Sequence, residues 1–81
     1  MKDKKHRTID VRVGSDMVKI AESIRRTRLS AGITQQVAAD RAGISQSFWS
    51  EIERGVWMLS VQTLLKVAKA LGVKPEKLLP K

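Results

Sequence analysis

The sequence predicts an all-α domain, a compact bundle of five short helices. Apolar residues recur at the three- and four-residue spacing of helices, and Ser, Thr and Gly stand where such helices would begin and end. Hydrophobic residues make up 42% of the chain, but only three residues are aromatic, so the core must be mainly aliphatic, which suits packed helices. A length of 81 residues allows one domain with one small core.

The N-terminal residues 1–14 look separate from the predicted domain, which spans residues 15–81. The first seven residues form a charged, basic arm, and Thr8–Val13 then alternates apolar and polar residues with the period of a strand. A lone strand is not stable, so it would need a partner such as its copy in a second subunit. Two predictions stay open for this segment, a short strand and a disordered arm.

The first predicted helix runs from about Met17 to Ala31. Ser15 or Asp16 can cap its amino end, and Gly32 closes it. Its apolar stripe consists of Met17, Ile20, Ala21 and Ile24.

A second and a third helix follow at close spacing. Thr34 caps the second helix, which ends at about Ala42. Ser45 caps the third, which runs to about Arg54 and is ended by Gly55.

The fourth and fifth helices complete the predicted bundle. Ser60 caps the fourth helix, and Gly72 ends it. Its predicted inward face consists of Val61, Leu64, Leu65, Ala68 and Leu71. Lys74 opens a short fifth helix through Leu79, with Pro75 at a tolerated first-turn position.

Residues 35–54 carry the most informative pattern. They predict two short helices joined at Gly43, where a tight turn needs a residue that tolerates positive φ. Ala39, four residues earlier, is small enough to let the two helices cross closely. This arrangement is typical of helix-turn-helix DNA readers.

The charge distribution favours a nucleic-acid partner. The net charge is +8 and the isoelectric point is near 10.5, which favours binding to a polyanion. Residues 33–55 nevertheless carry only two basic residues against three acidic ones, so the positive charge flanks the predicted reader. This division fits a protein whose basic flanking segments contact DNA phosphates and whose polar helix-turn-helix segment contacts the bases.

Several other classes of protein are excluded by composition. The chain has no cysteine and a single histidine, His6, so disulfides, thiolate zinc sites and a His-based catalytic triad are unavailable. The carboxylates show no paired or metal-ligand pattern, and there is no Gly-rich phosphate loop, so we expect no enzyme, no metal and no cofactor. No apolar run approaches the roughly 20 residues that span a bilayer, so we expect a cytoplasmic protein without membrane contact.

Residues 17–79 resemble the phage repressor/Cro family of bacterial and phage transcriptional regulators, also called XRE-like. The resemblance rests on IRRTRLSAGITQ at 24–35, the turn from Ala39 to Ser45, IERG at 52–55 and TLLKVAKALGV at 63–73. It implies a lambda-repressor-like bundle of about five helices that binds double-stranded operator DNA. Because family members usually bind as two-fold dimers, it also implies a homodimer on an inverted repeat.

The resemblance assigns roles to individual residues. The recognition helix, about residues 45–54, would lie in the major groove. Its predicted base contacts are Gln46, Ser47, Ser50 and Glu51. The predicted phosphate contacts are Gln35, Thr34, Ser45 and Arg54. Arg28 and Glu53 match a structural ion pair between the first and third helices.

The chemistry of two of these side chains supports a base-reading role. Gln46 can bond bidentately to adenine N6 and N7, whereas Glu51 can only accept and would select cytosine N4. Two alternatives stay open. Glu51 would pair with a nearby Arg instead of a base, and Gln46 would be a solvated helix residue that contacts no base.

Three features depart from the family pattern. The recognition helix lacks the Arg or Lys that members often carry, and Trp49 fills a slot usually held by a smaller aliphatic residue. Ala38 and Ala42, small where Leu is common, would make room for that indole.

The third departure is the run Val56, Trp57, Met58 and Leu59, where family members carry a basic and polar loop. These residues either cap the core or form an interface, since Met and Trp are favoured at protein interfaces. The alternative function is therefore an antitoxin-type or other interaction module that contacts a partner protein through Val56–Leu59 or the N-terminal strand.

Overall fold

The computed structural model describes the backbone of residues 2–80 and the side chains of residues 16–80. Four α-helices follow in order, and a 3-10 turn comes after the last of them. They are α1 (Lys2–Ala31), α2 (Gln35–Ala42), α3 (Gln46–Glu53), α4 (Val61–Leu71) and the turn Pro75–Leu78. No helix within residues 2–80 is both long enough and apolar enough to cross a membrane.

The amino ends of three helices are set by hydroxyl caps. Thr34 Oγ1 accepts a hydrogen bond from the Val37 amide at 3.1 Å, and Ser45 Oγ accepts one from the Phe48 amide at 3.0 Å. Ser60 caps α4 in the same way. Each cap satisfies an amide that has no partner within its own helix, so the predicted starts of α2, α3 and α4 are confirmed.

The core lies where the four helices meet. Its largest fully buried side chains are Trp49, Ile24, Ile52, Leu78 and Val67. Helix α2 contributes only alanines, namely Ala38, Ala39 and Ala42, and Trp49 belongs to the same core cluster. Small residues on α2 thus leave space for a large side chain on α3, as the sequence predicted.

The predicted N-terminal strand is wrong. Residues 8–13 lie within α1, which begins at Lys2 rather than near Met17. A helix satisfies its backbone hydrogen bonds locally, whereas a lone strand has no neighbour to pair with. The prediction of a separate basic arm at residues 1–14 depends on side chains outside the described residues and stays a prediction.

The predicted fifth helix is also wrong. The segment after Lys74 forms a single 3-10 turn of four residues, Pro75–Leu78, rather than an α-helix through Leu79. Four residues form barely one helical turn, and such short pieces commonly adopt 3-10 geometry. Leu78 is nevertheless fully buried, so this turn closes one end of the core.

The inward face of α4 differs from the prediction at two positions. Val61 and Leu65 were expected to point inward, but they are 74% and 49% exposed. Val67 and Ala70 are buried instead. Val61 and Leu65 lie four residues apart on one edge of the apolar stripe, so both are left on the surface when α4 packs.

The chain leaves α3 through a turn that is pressed against α1. Gly55 has a φ of +74°, which only Gly adopts without steric cost. A Cβ atom at this position would lie 3.4 Å from the Cβ of Ala21 and from the Cα of Val18. This close approach fixes where the apolar loop Val56–Leu59 begins.

Candidate nucleic-acid interface

Helices α2 and α3 are joined by a tight turn stabilised by backbone hydrogen bonds. Gly43 has φ 73° and ψ 31°, the left-handed conformation that ends many helices. The Ile44 amide donates to the Ala39 carbonyl at 3.0 Å across this turn. Ala39 itself is completely buried, so its small side chain lies in the packed core between the helices. The two helices and their turn form a helix-turn-helix unit.

One face of α3 is polar and points away from the core. Trp49 and Ile52 point inward and are almost completely buried. Because successive helical residues are rotated by about 100°, the opposite face is formed by four of the five polar residues of α3, all except Glu53. They are Gln46, Ser47, Ser50 and Glu51, the four predicted base contacts. The structure therefore brings all four together on one surface of α3.

Gln46 is connected to the protein interior through a chain of hydrogen bonds. Its Nε2 donates to Gln35 Oε1 at 2.9 Å, and Gln35 Nε2 donates in turn to Glu53 Oε1 at 3.0 Å. Glu53 also accepts from Arg28, whose Nε and Nη2 lie 2.6 Å and 3.1 Å from the two carboxylate oxygens. An exposed amide on α3 is thus held by residues of α2, α3 and α1.

The ion pair between Arg28 and Glu53 is removed from solvent. The Arg28 side chain is 10% exposed and that of Glu53 only 3%. Arg28 Nη1 donates to the Ile33 carbonyl at 3.0 Å, and the Trp49 indole donates to Glu53 Oε2 at 2.5 Å. The pair therefore connects α1, the α1–α2 connection and α3, and so fixes the orientation of α3.

The surroundings of Glu53 keep its carboxyl group charged. Burial alone would raise the pKa of Glu53, but hydrogen bonds from Arg28, Gln35 and Trp49, together with the positive charge of Arg28, outweigh burial. The pKa consequently lies below its ordinary value of 4.5. At neutral pH the carboxylate is ionised and accepts from all three donors.

The amino ends of α2 and α3 present several free donors. Thr34 and Ser45 accept hydrogen bonds as caps, but each hydroxyl still has its own hydrogen to donate. Both residues are exposed, and the Gln35–Gln46 hydrogen bond brings the two helix ends together. Amide groups at helix amino ends attract anions. The fourth predicted phosphate contact, Arg54, is exposed just after α3.

The apolar loop Val56–Leu59 is divided between core and surface. Leu59 packs against the core. Val56, Trp57 and Met58 are 63%, 50% and 61% exposed. The loop thus contributes to both environments that the sequence left open.

Trp57 folds back onto α3. Its indole Nε1 donates to Glu51 Oε1 at 2.7 Å. Its ring meets Phe48 edge to face, with centroids 6.0 Å apart and planes inclined by 81°. The sequence suggested a base or an Arg as the partner of Glu51. It gave no signal for an indole partner, because the contact depends on the path that the chain takes after Gly55.

Comparison with known proteins shows which protein family the domain resembles. Residues 19–80 match a family model described as a helix-turn-helix domain. The uncharacterized HTH-type transcriptional regulator y4dJ of Sinorhizobium fredii is 42% identical over 59 residues, covering 72% of this chain and 77% of the relative. The control protein C.BamHI of Bacillus amyloliquefaciens is 36% identical over 59 residues, covering 72% of this chain and 73% of that protein.

A solved structure has the same fold. The restriction-modification controller protein C.AhdI from Aeromonas hydrophila superposes with a TM-score of 0.76 at 33% sequence identity. The match covers 79% of this chain and 97% of C.AhdI. The arrangement of helices described above is therefore also found in a restriction-modification controller.

Proposed function

The chain belongs to the helix-turn-helix family of DNA-binding transcriptional regulators, of the phage repressor/Cro type, and from this premise we propose that α3 is its recognition helix. Helix α3 lies in the major groove of a specific operator and reads it with the polar face described above. The proposed base contacts are Gln46, Ser47, Ser50 and Glu51. The proposed phosphate contacts are Thr34, Gln35, Ser45 and Arg54.

The observation that carries this proposal is that a hydrogen bond to Gln35 holds the side-chain amide of Gln46 in place. One amide hydrogen of Gln46 is used in the 2.9 Å bond to Gln35. The second amide hydrogen and Oε1 remain to donate to adenine N7 and accept from adenine N6. Because Gln35 is itself held by Glu53, less side-chain freedom is lost when Gln46 meets a base.

Affinity and specificity are assigned to different parts of the chain. Helix α3 has no Lys or Arg, and its Glu51 adds negative charge near the groove, whereas the charge of Glu53 is paired with Arg28. The net charge of +8 therefore has to act through the segments that flank residues 33–55. Basic residues in those segments supply the sequence-independent, salt-dependent attraction to phosphate.

The operator is proposed to be an inverted repeat bound by two copies of the chain. Two recognition helices about 34 Å apart would enter successive major grooves on one side of the DNA. The exposed loop residues Val56, Trp57 and Met58 supply apolar surface on which the two copies can meet. Val61, exposed at the start of α4, adds to that surface.

Replacing Gln46 with Ala should weaken binding to the operator about 5- to 150-fold for each half-site, the range for loss of one bidentate base contact. Binding to unrelated DNA should hardly change, because phosphate contacts remain. Titration of both DNAs with purified protein measures the two affinities. The matched control is Gln36→Ala, which removes an exposed glutamine whose side chain, among residues 16–80, bonds to Asp40 of the same helix. An equal loss on both DNAs after Gln46→Ala would contradict the base-reading role.

Replacing Trp57 with Ser should loosen the dimer, because it removes half-exposed aromatic surface from the proposed contact between copies. Sedimentation equilibrium measures the dimerisation constant. The control is Leu29→Ser, which removes an apolar side chain of similar exposure (57%) from α1. A dimerisation constant that is the same for Trp57→Ser and the unaltered protein would contradict the assignment of this surface to the contact between copies.

The same exposed loop supports a second candidate function, that of an antitoxin-type module which binds a partner protein. Val56, Trp57 and Met58 would then contact that partner instead of a second copy. Purification from the native host separates the two functions. An equimolar second protein that is lost with Trp57→Ser would favour the module, and a homodimer alone would favour the operator-binding regulator.

A further inference from the structure

We propose that Trp57 is a positioning residue that sets the base preference of Glu51. This inference rests on the proposed function, because it requires α3 to be the recognition helix. It assigns to the apolar loop a role in sequence reading, in addition to any contact with a second copy.

Two contacts hold the indole of Trp57 in place beside α3. Its N–H donates to Glu51 Oε1 at 2.7 Å, and its ring packs edge to face on Phe48 with centroids 6.0 Å apart. An indole N–H can only donate and an ionised carboxylate can only accept, so the two groups are complementary. Hydrogen bonds to a charged acceptor are also stronger than those between neutral groups.

The path of the backbone makes this contact possible. Gly55, at a φ of +74° and against α1, turns the chain so that residue 57 returns to the side of α3. Trp57 remains 50% exposed. If its role were only to cover the core, an aliphatic residue, of which the sequence has many, would serve equally well. Its N–H group and its edge contact with Phe48 therefore act at the surface, next to the polar face of α3.

The hydrogen bond from Trp57 leaves one carboxylate oxygen of Glu51 free to accept a hydrogen bond from a base. Oε1 is bonded to the indole, and Oε2 remains as a pure acceptor that fits the N4 amino group of cytosine. Within residues 16–80 the one ion pair is Arg28–Glu53, so no described cation competes for Glu51. A carboxylate held by the indole, rather than rotating freely, loses less freedom when it meets cytosine.

Glu51 and Gln46 then read different bases from one helix. Gln46 is held by Gln35, and Glu51 is held by Trp57. Each of the two side chains is thus oriented by a hydrogen bond from outside α3. Adenine is selected at one position of each half-site and cytosine at another.

The test is Trp57→Phe, which keeps an apolar ring but removes the N–H donor. Sequences bound from a random DNA pool are compared for the unaltered protein, Trp57→Phe, Glu51→Gln and Gln46→Ala. We expect a cytosine preference at one position per half-site that falls at least about fivefold in both Trp57→Phe and Glu51→Gln. The adenine preference assigned to Gln46 should be unchanged in both variants. Adding Trp57→Phe to Glu51→Gln should change the cytosine preference no further.

Two controls separate this role from a structural one. Trp57→Met is a second variant without a donor, and thermal unfolding shows that the variants compared are folded. Sedimentation of Trp57→Phe shows whether the dimer is retained, and base preferences are compared at protein concentrations at which both proteins are dimeric. A loss of preference at every position alike would mean that Trp57 supports the fold only, and would overturn the proposal.

The remaining outcomes distinguish this inference from the function on which it rests. If Trp57→Phe keeps the full cytosine preference while Gln46→Ala loses the adenine preference, the assignment of α3 as the recognition helix is supported and the proposed role of Trp57 is wrong. If the unaltered protein enriches no sequence at all, the proposed function itself falls.

Discussion

Replacement of Arg28 with Met should destabilise the fold by about 3–5 kcal/mol, the range for breaking a buried ion pair by removing one partner. The Glu53 side chain is only 3% exposed, so its charge would remain in the interior without a counter-ion. A domain of this length is stable by roughly 4–12 kcal/mol, at 0.05–0.15 kcal/mol per residue. The variant should therefore lose at least about a quarter of the free energy of unfolding. Urea unfolding followed by circular dichroism measures the difference.

Two further variants identify the cause of that loss. Arg25→Met removes an exposed arginine from the same helix and should change stability by less than about 0.5 kcal/mol. The double variant Arg28→Met with Glu53→Gln removes both charges and should be more stable than Arg28→Met alone. If Arg28→Met were as stable as Arg25→Met, the pair would have no part in holding α3.

The second large effect is expected at Trp49. Replacement with Ala should destabilise the protein by about 3–5 kcal/mol, because a fully buried indole leaves a cavity that the surrounding helices fill only in part. The same change removes the indole donor to Glu53 Oε2. The small residues Ala38 and Ala42 on α2 offer no side chain that can move into the space.

Trp49→Phe separates packing from hydrogen bonding. Phe keeps most of the volume but lacks the five-membered ring that carries the N–H, so we expect a smaller loss of about 1–2 kcal/mol. Calorimetry on both variants gives the midpoints of unfolding, which shift by about 4–8 °C per kcal/mol in domains of this size. Equal losses for the two variants would show that the hydrogen bond, and not the volume, determines the stability.

Local signals in the sequence predicted the helices of the helix-turn-helix unit. Thr34, Ser45 and Ser60 are caps because their hydroxyl groups satisfy the first free amides of a helix, a requirement that involves only neighbouring residues. Gly43 ends α2 for a similarly local reason, since its φ of 73° is strained for other residues.

The errors arose where the outcome depends on distant parts of the chain. The alternation at residues 8–13 fits a strand, but a strand needs a partner, and the segment instead continues α1. Val61 and Leu65 fit the apolar stripe of α4, yet the rotation of α4 against the other helices leaves both exposed. Periodicity describes a helix by itself and not the angle at which it packs.

The candidate site was predictable in its residues but only partly in its connections. The resemblance predicted Arg28 and Glu53 as a pair, but it placed Gln35 and Gln46 in the site individually. The chain of hydrogen bonds that joins them runs through α1, α2 and α3, with sequence separations of 11, 18 and 25 residues. The bond between Trp57 and Glu51 depends on the turn at Gly55, which no pattern of residue types records.

Selection of bound sequences from a random pool of double-stranded DNA tests most directly whether α3 is a base-reading helix. The unaltered protein should enrich an inverted repeat whose half-sites are centred about 10 base pairs apart. Gln46→Ala should lose the preference for adenine at one position of each half-site. Recovery of no common sequence, or of a sequence that Gln46→Ala enriches equally well, would contradict the assignment of α3 as the recognition helix.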